Sequence, residues 1–181
     1  MQVLNGTGLL LLVLACFTLF SYKAPQGMKA MGALASAACA SFLVEAFHSS
    51  FFGDVLHIEF LKKIGESNGS LGGIAAATLV PLALGASPVY SVLIGLSCSG
   101  LGILPGFIAG YLMSFVVKFL EKNLPGGLDL IVIIVFAAPL TRLIGDCMTP
   151  IVNSTLLKIG QILVASADSN PIIIGIILGG I

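Results

Sequence analysis

The chain has 181 residues, of which 57% are hydrophobic and 9% are charged. Because a soluble domain normally carries about 25% charged residues, this composition excludes an ordinary soluble domain and indicates a protein that lies in a lipid bilayer. Acidic and basic residues balance at 8 each, so no charge excess points to nucleic acid. At about 20 residues per helical span, we expect residues 1–181 to form one all-α transmembrane domain, a polytopic helical bundle of roughly five to seven passes.

The N-terminal part predicts two spans. Residues 7–22 are apolar, and the nearest lysines follow rather than precede them, which favours a first span over a signal peptide. Pro25 and Gly27 then mark a turn. Residues 28–48 predict a second span, and the small residues in its first half predict close packing against neighbouring helices.

The next segment differs in kind, because charged residues are interleaved with apolar ones. Residues 51–65 carry Asp54, His57 and Glu59 among valine, leucine, isoleucine and phenylalanine. That pattern predicts one interfacial amphipathic helix rather than a span. Residues 66–70, ESNGS, predict a loop.

Three short apolar runs follow, at residues 71–86, 89–104 and 107–120, and each is interrupted or bounded by glycine and proline. They are interpreted either as thin, kinked spans or as re-entrant half-helices. Irregular backbone is tolerated at membrane depth only where it is buried in protein or lines a cavity. Interrupted segments of this kind therefore indicate a transport protein.

The C-terminal part begins with a β-branched apolar run at residues 128–138. A helix is expected to continue from there to about residue 167, with a turn at 168–171. Residues 172–181 are apolar, yet as a helix they would reach only about 15 Å, half of a hydrocarbon core. We therefore expect the chain to be truncated, part of a longer protein, or one half of an assembly.

Residues 137–160 are the first candidate for function, because they place ionisable side chains in an apolar segment. Arg142 and Asp146 stand four residues apart on one helix face, and Thr149 and Asn153 follow. An ionisable residue costs roughly 2.5–3.5 kcal/mol at the centre of a membrane helix, so it usually faces the bundle interior or a water-filled cavity. Guanidinium, carboxylate, hydroxyl and amide groups together suit a polyol such as a sugar. The alternative is a structural ion pair inside the bundle.

Glu45 and His48 form a second candidate pair, three residues apart near the end of the second span. They would touch water at the interface, form the second wall of the polar site, or respond to protons, since histidine titrates near neutral pH. Only one carboxylate accompanies Arg142, and all four cysteines lie in apolar segments, so neither a metal nor a cofactor is expected. No P-loop, GxSxG or HExxH motif points to an enzyme.

Residues 141–160, TRLIGDCMTPIVNSTLLKIG, and 170–180, NPIIIGIILGG, resemble the membrane subunit IIC of bacterial phosphotransferase-system sugar permeases. The resemblance is to the branch of perfringolysin O regulator-like proteins and spans residues 25–181. Phe47 and His48, followed by an amphipathic stretch, are compatible with it. Family members are longer, so the chain would correspond to an N-terminal half.

The resemblance implies an all-helical, multi-pass protein of the bacterial cell membrane that moves a sugar, usually as a homodimer. Phosphate would come from a separate cytoplasmic IIB phosphocarrier, so the chain itself would not carry out phosphotransfer. Family sugar sites use a glutamate and a histidine, to which Glu45 and His48 correspond by residue type only. The alternatives are a regulatory membrane protein that binds a ligand without transport, and a small channel or secondary transporter.

Overall fold

The computed structural model describes residues 2–167, with side chains described for 11–157. These residues form helices and turns without a strand, which confirms the all-α prediction. The first three helices are α1 (Gln2–Lys23), α2 (Gly27–Val55) and α3 (Glu59–Ser70). They are followed by α4 (Gly72–Ala83), α5 (Pro88–Ser97) and α6 (Ile103–Asn123). The last continuous helix, α7, consists of Leu128–Val132, the π-helical segment Ile133–Ala137 and Ala138–Ala167. The predicted turn at 168–171 and the apolar run at 172–181 lie outside the described residues.

The chain divides into two compact units. One comprises Gln26–Thr149, and the other comprises the described parts of Met1–Pro25 and Pro150–Ile181. That residues 1–181 act as a single transmembrane domain stays a prediction. In the smaller unit, α1 presents Leu11, Leu12 and Leu19 at its surface, as a helix that lies in lipid does.

Three of the described helices are long and apolar enough to cross a membrane: Gly27–Val55, Ile103–Asn123 and Leu128–Leu157. The second predicted span therefore continues beyond residue 48. Likewise, the third of the short apolar runs begins at Ile103, because Pro105 lies in the first turn of α6, where no helical partner for its missing N–H is needed. Helices α4 and α5, with 12 and 10 residues, are shorter than the apolar runs at 71–86 and 89–104 that predicted them.

Helix α2 forms a tight antiparallel hairpin with α3 and the start of α4. Glycines of one helix face residues of the other so closely that an added Cβ would meet the neighbour. The facing pairs are Gly53 with Lys62, Ser49 with Gly65, Glu45 with Gly69, and Ser41 with Gly72. Small residues that let two backbones approach in this way are the usual means of helix association in membranes.

This hairpin corrects two expectations. The amphipathic helix begins at Glu59 rather than at residue 51, because residues up to Val55 continue α2 as a π-helix and His57 turns the chain with φ 56°. The predicted loop at 66–70 is helical, because Gly65 and Gly69 pack against α2 instead of breaking the helix.

The core of the larger unit lies where α4, α5 and α6 meet α7. Helices α4 and α6 run parallel, and their backbones touch where Gly106 faces Gly73 and Gly110 faces Ala77. The core side chains are mostly aliphatic and fully buried, with Ile94, Met113, Val117 and Ile133 among the largest. Buried hydroxyls are satisfied within their own helices: those of Ser91, Ser114 and Thr141 each donate to the carbonyl four residues earlier, at 2.9, 2.6 and 2.6 Å.

Candidate functional site

Arg142 and Asp146 form the ion pair that their spacing predicts. The Nε atom of Arg142 donates to Oδ2 of Asp146 at 3.0 Å. The two side chains are 46% and 52% exposed, which places the pair at the surface of the larger unit rather than in an enclosed cavity. The pair is therefore accessible to a ligand.

Arg142 also makes a contact that the sequence did not predict. Its Nη1 atom donates to the carbonyl oxygen of Ser99 at 2.6 Å. Ser99 belongs to residues 98–102, the turn that joins α5 to α6, where Gly100 has φ 75°. The side chain of Leu101 in the same turn lies against Gly145 of α7, where an added Cβ would collide with it. The Arg142 pair thus lies directly on the α5–α6 turn.

The two neutral candidates on α7 have different surroundings. Thr149 is half-buried, and its hydroxyl donates to the carbonyl oxygen of Gly145 at 2.8 Å. Asn153 is exposed and belongs to the smaller unit, which begins again at Pro150. That Thr149 and Asn153 contribute to one site with Asp146 stays a prediction.

Glu45 and His48 are both half-buried on α2. The carboxylate of Glu45 lies against Gly69 of α3, where an added Cβ would collide with Oε2. The Nδ1 atom of His48 is 3.1 Å from the carbonyl oxygen of Val44, to which it donates when it carries the proton. The structure brings Glu45 to the α2–α3 interface and gives it no ion pair within the described residues.

Both candidate pairs lie at the same end of the larger unit. Glu45 contacts Gly69 near the end of α3, four residues before Gly73 of α4, and an added Cβ at Gly73 would collide with the backbone of Leu101 in the turn that Arg142 contacts. Both pairs also adjoin π-helical segments, since Ala46–Val55 follows Glu45 directly and Ile133–Ala137 precedes Arg142 by five residues. π-Helical turns are rare and occur frequently at functional sites.

The opposite end of the larger unit holds polar contacts that sequence reasoning missed. The hydroxyl of Tyr90 donates to Oδ2 of Asp129 at 2.6 Å, and Oδ1 of Asp129 accepts the backbone N–H of Gly127 at 2.8 Å. Lys118 and Glu121 of α6 contact the α4–α5 turn. The only feature of the sequence that could have indicated these four residues is their position at the ends of apolar runs. Within the part of the chain that the structure describes, no three metal-ligating side chains come together.

Comparison with known protein families gives a match. The family described as "Phosphotransferase system, EIIC" matches residues 28–181, most of the chain. No curated protein and no solved structure matches the chain significantly.

Proposed function

The chain belongs to the EIIC family of the phosphotransferase system, and from this membership we propose that it binds a neutral sugar at Arg142 and Asp146 and moves it across a bacterial cell membrane. Membership makes it a membrane component of a sugar permease. The observation that carries the proposed site is the accessible ion pair in an apolar part of α7, at the turn between the short helix α5 and the longer helix α6. Such interrupted helices form the substrate sites of many transporters.

The chemistry of the pair suits sugar hydroxyls. One oxygen of Asp146 accepts from Arg142, and a carboxylate oxygen has further lone pairs with which to accept a hydroxyl proton. The guanidinium has five N–H donors, of which the bonds to Asp146 and Ser99 use two. Donor and acceptor side by side would hold two adjacent hydroxyls of one sugar, and the balanced charges favour a neutral ligand over an anionic one.

Glu45 and His48 are proposed as the second wall of this site. The carboxylate of Glu45 is held by packing against Gly69 rather than by an ion pair, which leaves its oxygens available as acceptors. His48 supplies a second polar group three residues further along α2. Thr149 would add a neutral hydroxyl from α7, whereas a role for Asn153, which belongs to the smaller unit, stays a prediction from the sequence.

The phosphate that is transferred to the sugar would come from a separate IIB phosphocarrier. The chain would thus bind and move the sugar, would not itself be the phosphate donor, and would need no cofactor. We further propose that it acts as a homodimer in a multi-pass arrangement.

The test begins with binding. Purified protein in lipid vesicles is incubated with a panel of radiolabelled neutral hexoses and disaccharides, and we expect saturable binding of at least one. Because a hydrogen bond to a charged group is lost, Asp146→Asn should weaken that binding by about tenfold. Lys63→Met changes an exposed charge on α3 and is the matched control that should bind normally.

Uptake into the vesicles then separates the candidate functions. Phosphorylation-dependent uptake with a IIB partner supports the permease. Binding without uptake favours the regulatory alternative, and proton-driven uptake without a phosphocarrier favours a secondary transporter. Failure of every neutral sugar to bind, or normal binding by Asp146→Asn, contradicts the proposed site.

A further inference from the structure

Helix α5 is short and is held by charged side chains at both ends. Its 10 residues rise about 15 Å, half of a hydrocarbon core, so its ends cannot both reach the membrane surfaces. Each end is joined to its neighbour by a turn, at residues 84–87 before α5 and 98–102 after it. The backbone of the first turn is hydrogen-bonded to side chains of α6, and the backbone of the second turn is hydrogen-bonded to a side chain of α7.

At the first turn, α6 supplies one charge of each sign. The Nζ atom of Lys118 donates to the carbonyl oxygen of Leu84 at 2.8 Å, just past the end of α4. The Oε1 atom of Glu121 accepts the backbone N–H of Ser87 at 3.3 Å, at the start of α5. These signs match the helix dipoles, since a cation is favoured at a C-terminus and an anion at an N-terminus. Two side chains therefore hold this turn.

At the second turn, Arg142 supplies the contact from outside. Its bond to the Ser99 carbonyl places a cation beyond the C-terminus of α5, where the dipole again favours it. Within the described residues, no other side chain donates to the backbone of this turn. Gly100 faces open space, since an added Cβ would have no neighbour within 4 Å. The turn is thus packed on one side and open on the other.

We propose that Arg142 is a positioning residue that holds the 98–102 turn closed against α7, and that loss of the Arg142–Ser99 bond lets the turn open. The first residue of this turn is Cys98, whose side chain is fully buried. An open turn would expose its thiol and change the access of water to the end of the unit where Arg142 and Glu45 lie. The inference goes beyond the proposed sugar site and holds whether or not a sugar binds there.

The buried thiol provides the measurement. Cys16, Cys39 and Cys147 are exposed, so each is replaced by serine to leave Cys98 as the only thiol. The reaction of Cys98 with N-ethylmaleimide is then followed in lipid vesicles without added sugar. We expect slow modification when Arg142 is present, and modification about tenfold faster or more in Arg142→Gln, because a charge-assisted hydrogen bond is lost. Arg142→Lys, which keeps a charged donor, should give an intermediate rate.

A second buried position separates turn opening from general loosening. Ser91 is fully buried in the same helix, and a Ser91→Cys variant, with Cys98→Ser and the exposed cysteines replaced, reports on the other half of α5. Arg142→Gln should leave the Ser91→Cys rate unchanged. Lys118→Gln, which removes a contact only at the first turn, should leave the Cys98 rate within about twofold.

Equal modification rates of Cys98 with and without Arg142 overturn the proposal. An equal acceleration at both buried positions does so as well, because it shows a structural role for the whole unit. Should Arg142→Gln fail to fold, Arg142→Lys decides, and a rate equal to that of the unsubstituted protein counts against the proposal. Because no sugar is used, these outcomes are independent of the sugar-binding test.

Discussion

The contact between α4 and α6 sets the position of the α5–α6 turn, and Gly106→Ala tests it. A methyl carbon added at Gly106 would lie 2.9 Å from both the carbonyl carbon and Cα of Gly73, and closer still to its carbonyl oxygen. These are backbone atoms, which cannot move aside as the end of a side chain can. Overpacking of this kind costs about 1–3 kcal/mol. The gain in helix propensity from glycine to alanine offsets at most about 1 kcal/mol of that.

Gly32→Ala is the matched control for this substitution. Gly32 also lies inside a helix, but an added Cβ there would have no neighbour within 4 Å, so only the propensity gain remains. Because the propensity gain is the same in both variants, they should differ by the overpacking cost of about 1–3 kcal/mol, with Gly106→Ala the less stable. For a chain of this size that corresponds to roughly 2–12 °C in melting temperature, measured by size-exclusion chromatography after heating in detergent. A Gly106→Ala protein that melts at or above the temperature of Gly32→Ala would refute the backbone contact.

Two further predictions concern polar contacts. Tyr90→Phe should lower the melting temperature by a few degrees, because Asp129 loses a charge-assisted hydrogen bond. Tyr22→Phe, at an exposed tyrosine, is the control and should leave the melting temperature unchanged. Equal effects of the two substitutions would contradict the prediction. Asp54 accepts a hydrogen bond from Lys62 at 2.7 Å and so raises the pKa of Lys62 above 10.5. The stabilisation from the Lys62–Asp54 pair is complete below pH 10.5 and is lost as the pH rises further. In Lys62→Met the melting temperature should therefore fall less in strong alkali than in the unsubstituted protein. The same fall in both proteins would contradict the prediction.

The apolar runs of the sequence predicted most of the helices, but glycine and proline misled in two places. Gly69 and Pro105 read as breaks, yet both lie within helices. Glycine ends helices in water because it loses backbone entropy and exposes its peptide groups. In a membrane the same missing side chain lets a second helix approach, and here it admits Glu45 against Gly69. A single sequence does not distinguish these two uses.

The candidate site was predicted in part. A spacing of four residues was sufficient to predict the Arg142–Asp146 pair, since local helical geometry determines it. The bond from Arg142 to Ser99 was not predictable, because its acceptor is a backbone carbonyl 43 residues away and carries no residue-type signal. The π-helical segment Ala46–Val55 was missed for a similar reason, since it depends on tertiary packing rather than on composition.

The surface of α7 gives the strongest physical reason to place function at Arg142. Ile131, Val135 and Phe136 are exposed on this helix, and lipid is a suitable solvent for them. Lipid is a poor solvent for an ion pair that is about half exposed, and ionisable side chains in spans usually face protein or a water-filled cavity. The face that carries Arg142 and Asp146 must therefore be covered by something more polar than hydrocarbon. Water and a sugar both meet that requirement. The sugar-binding experiment tests whether Arg142 and Asp146 bind a ligand, and the modification of Cys98 tests whether Arg142 holds the 98–102 turn in place.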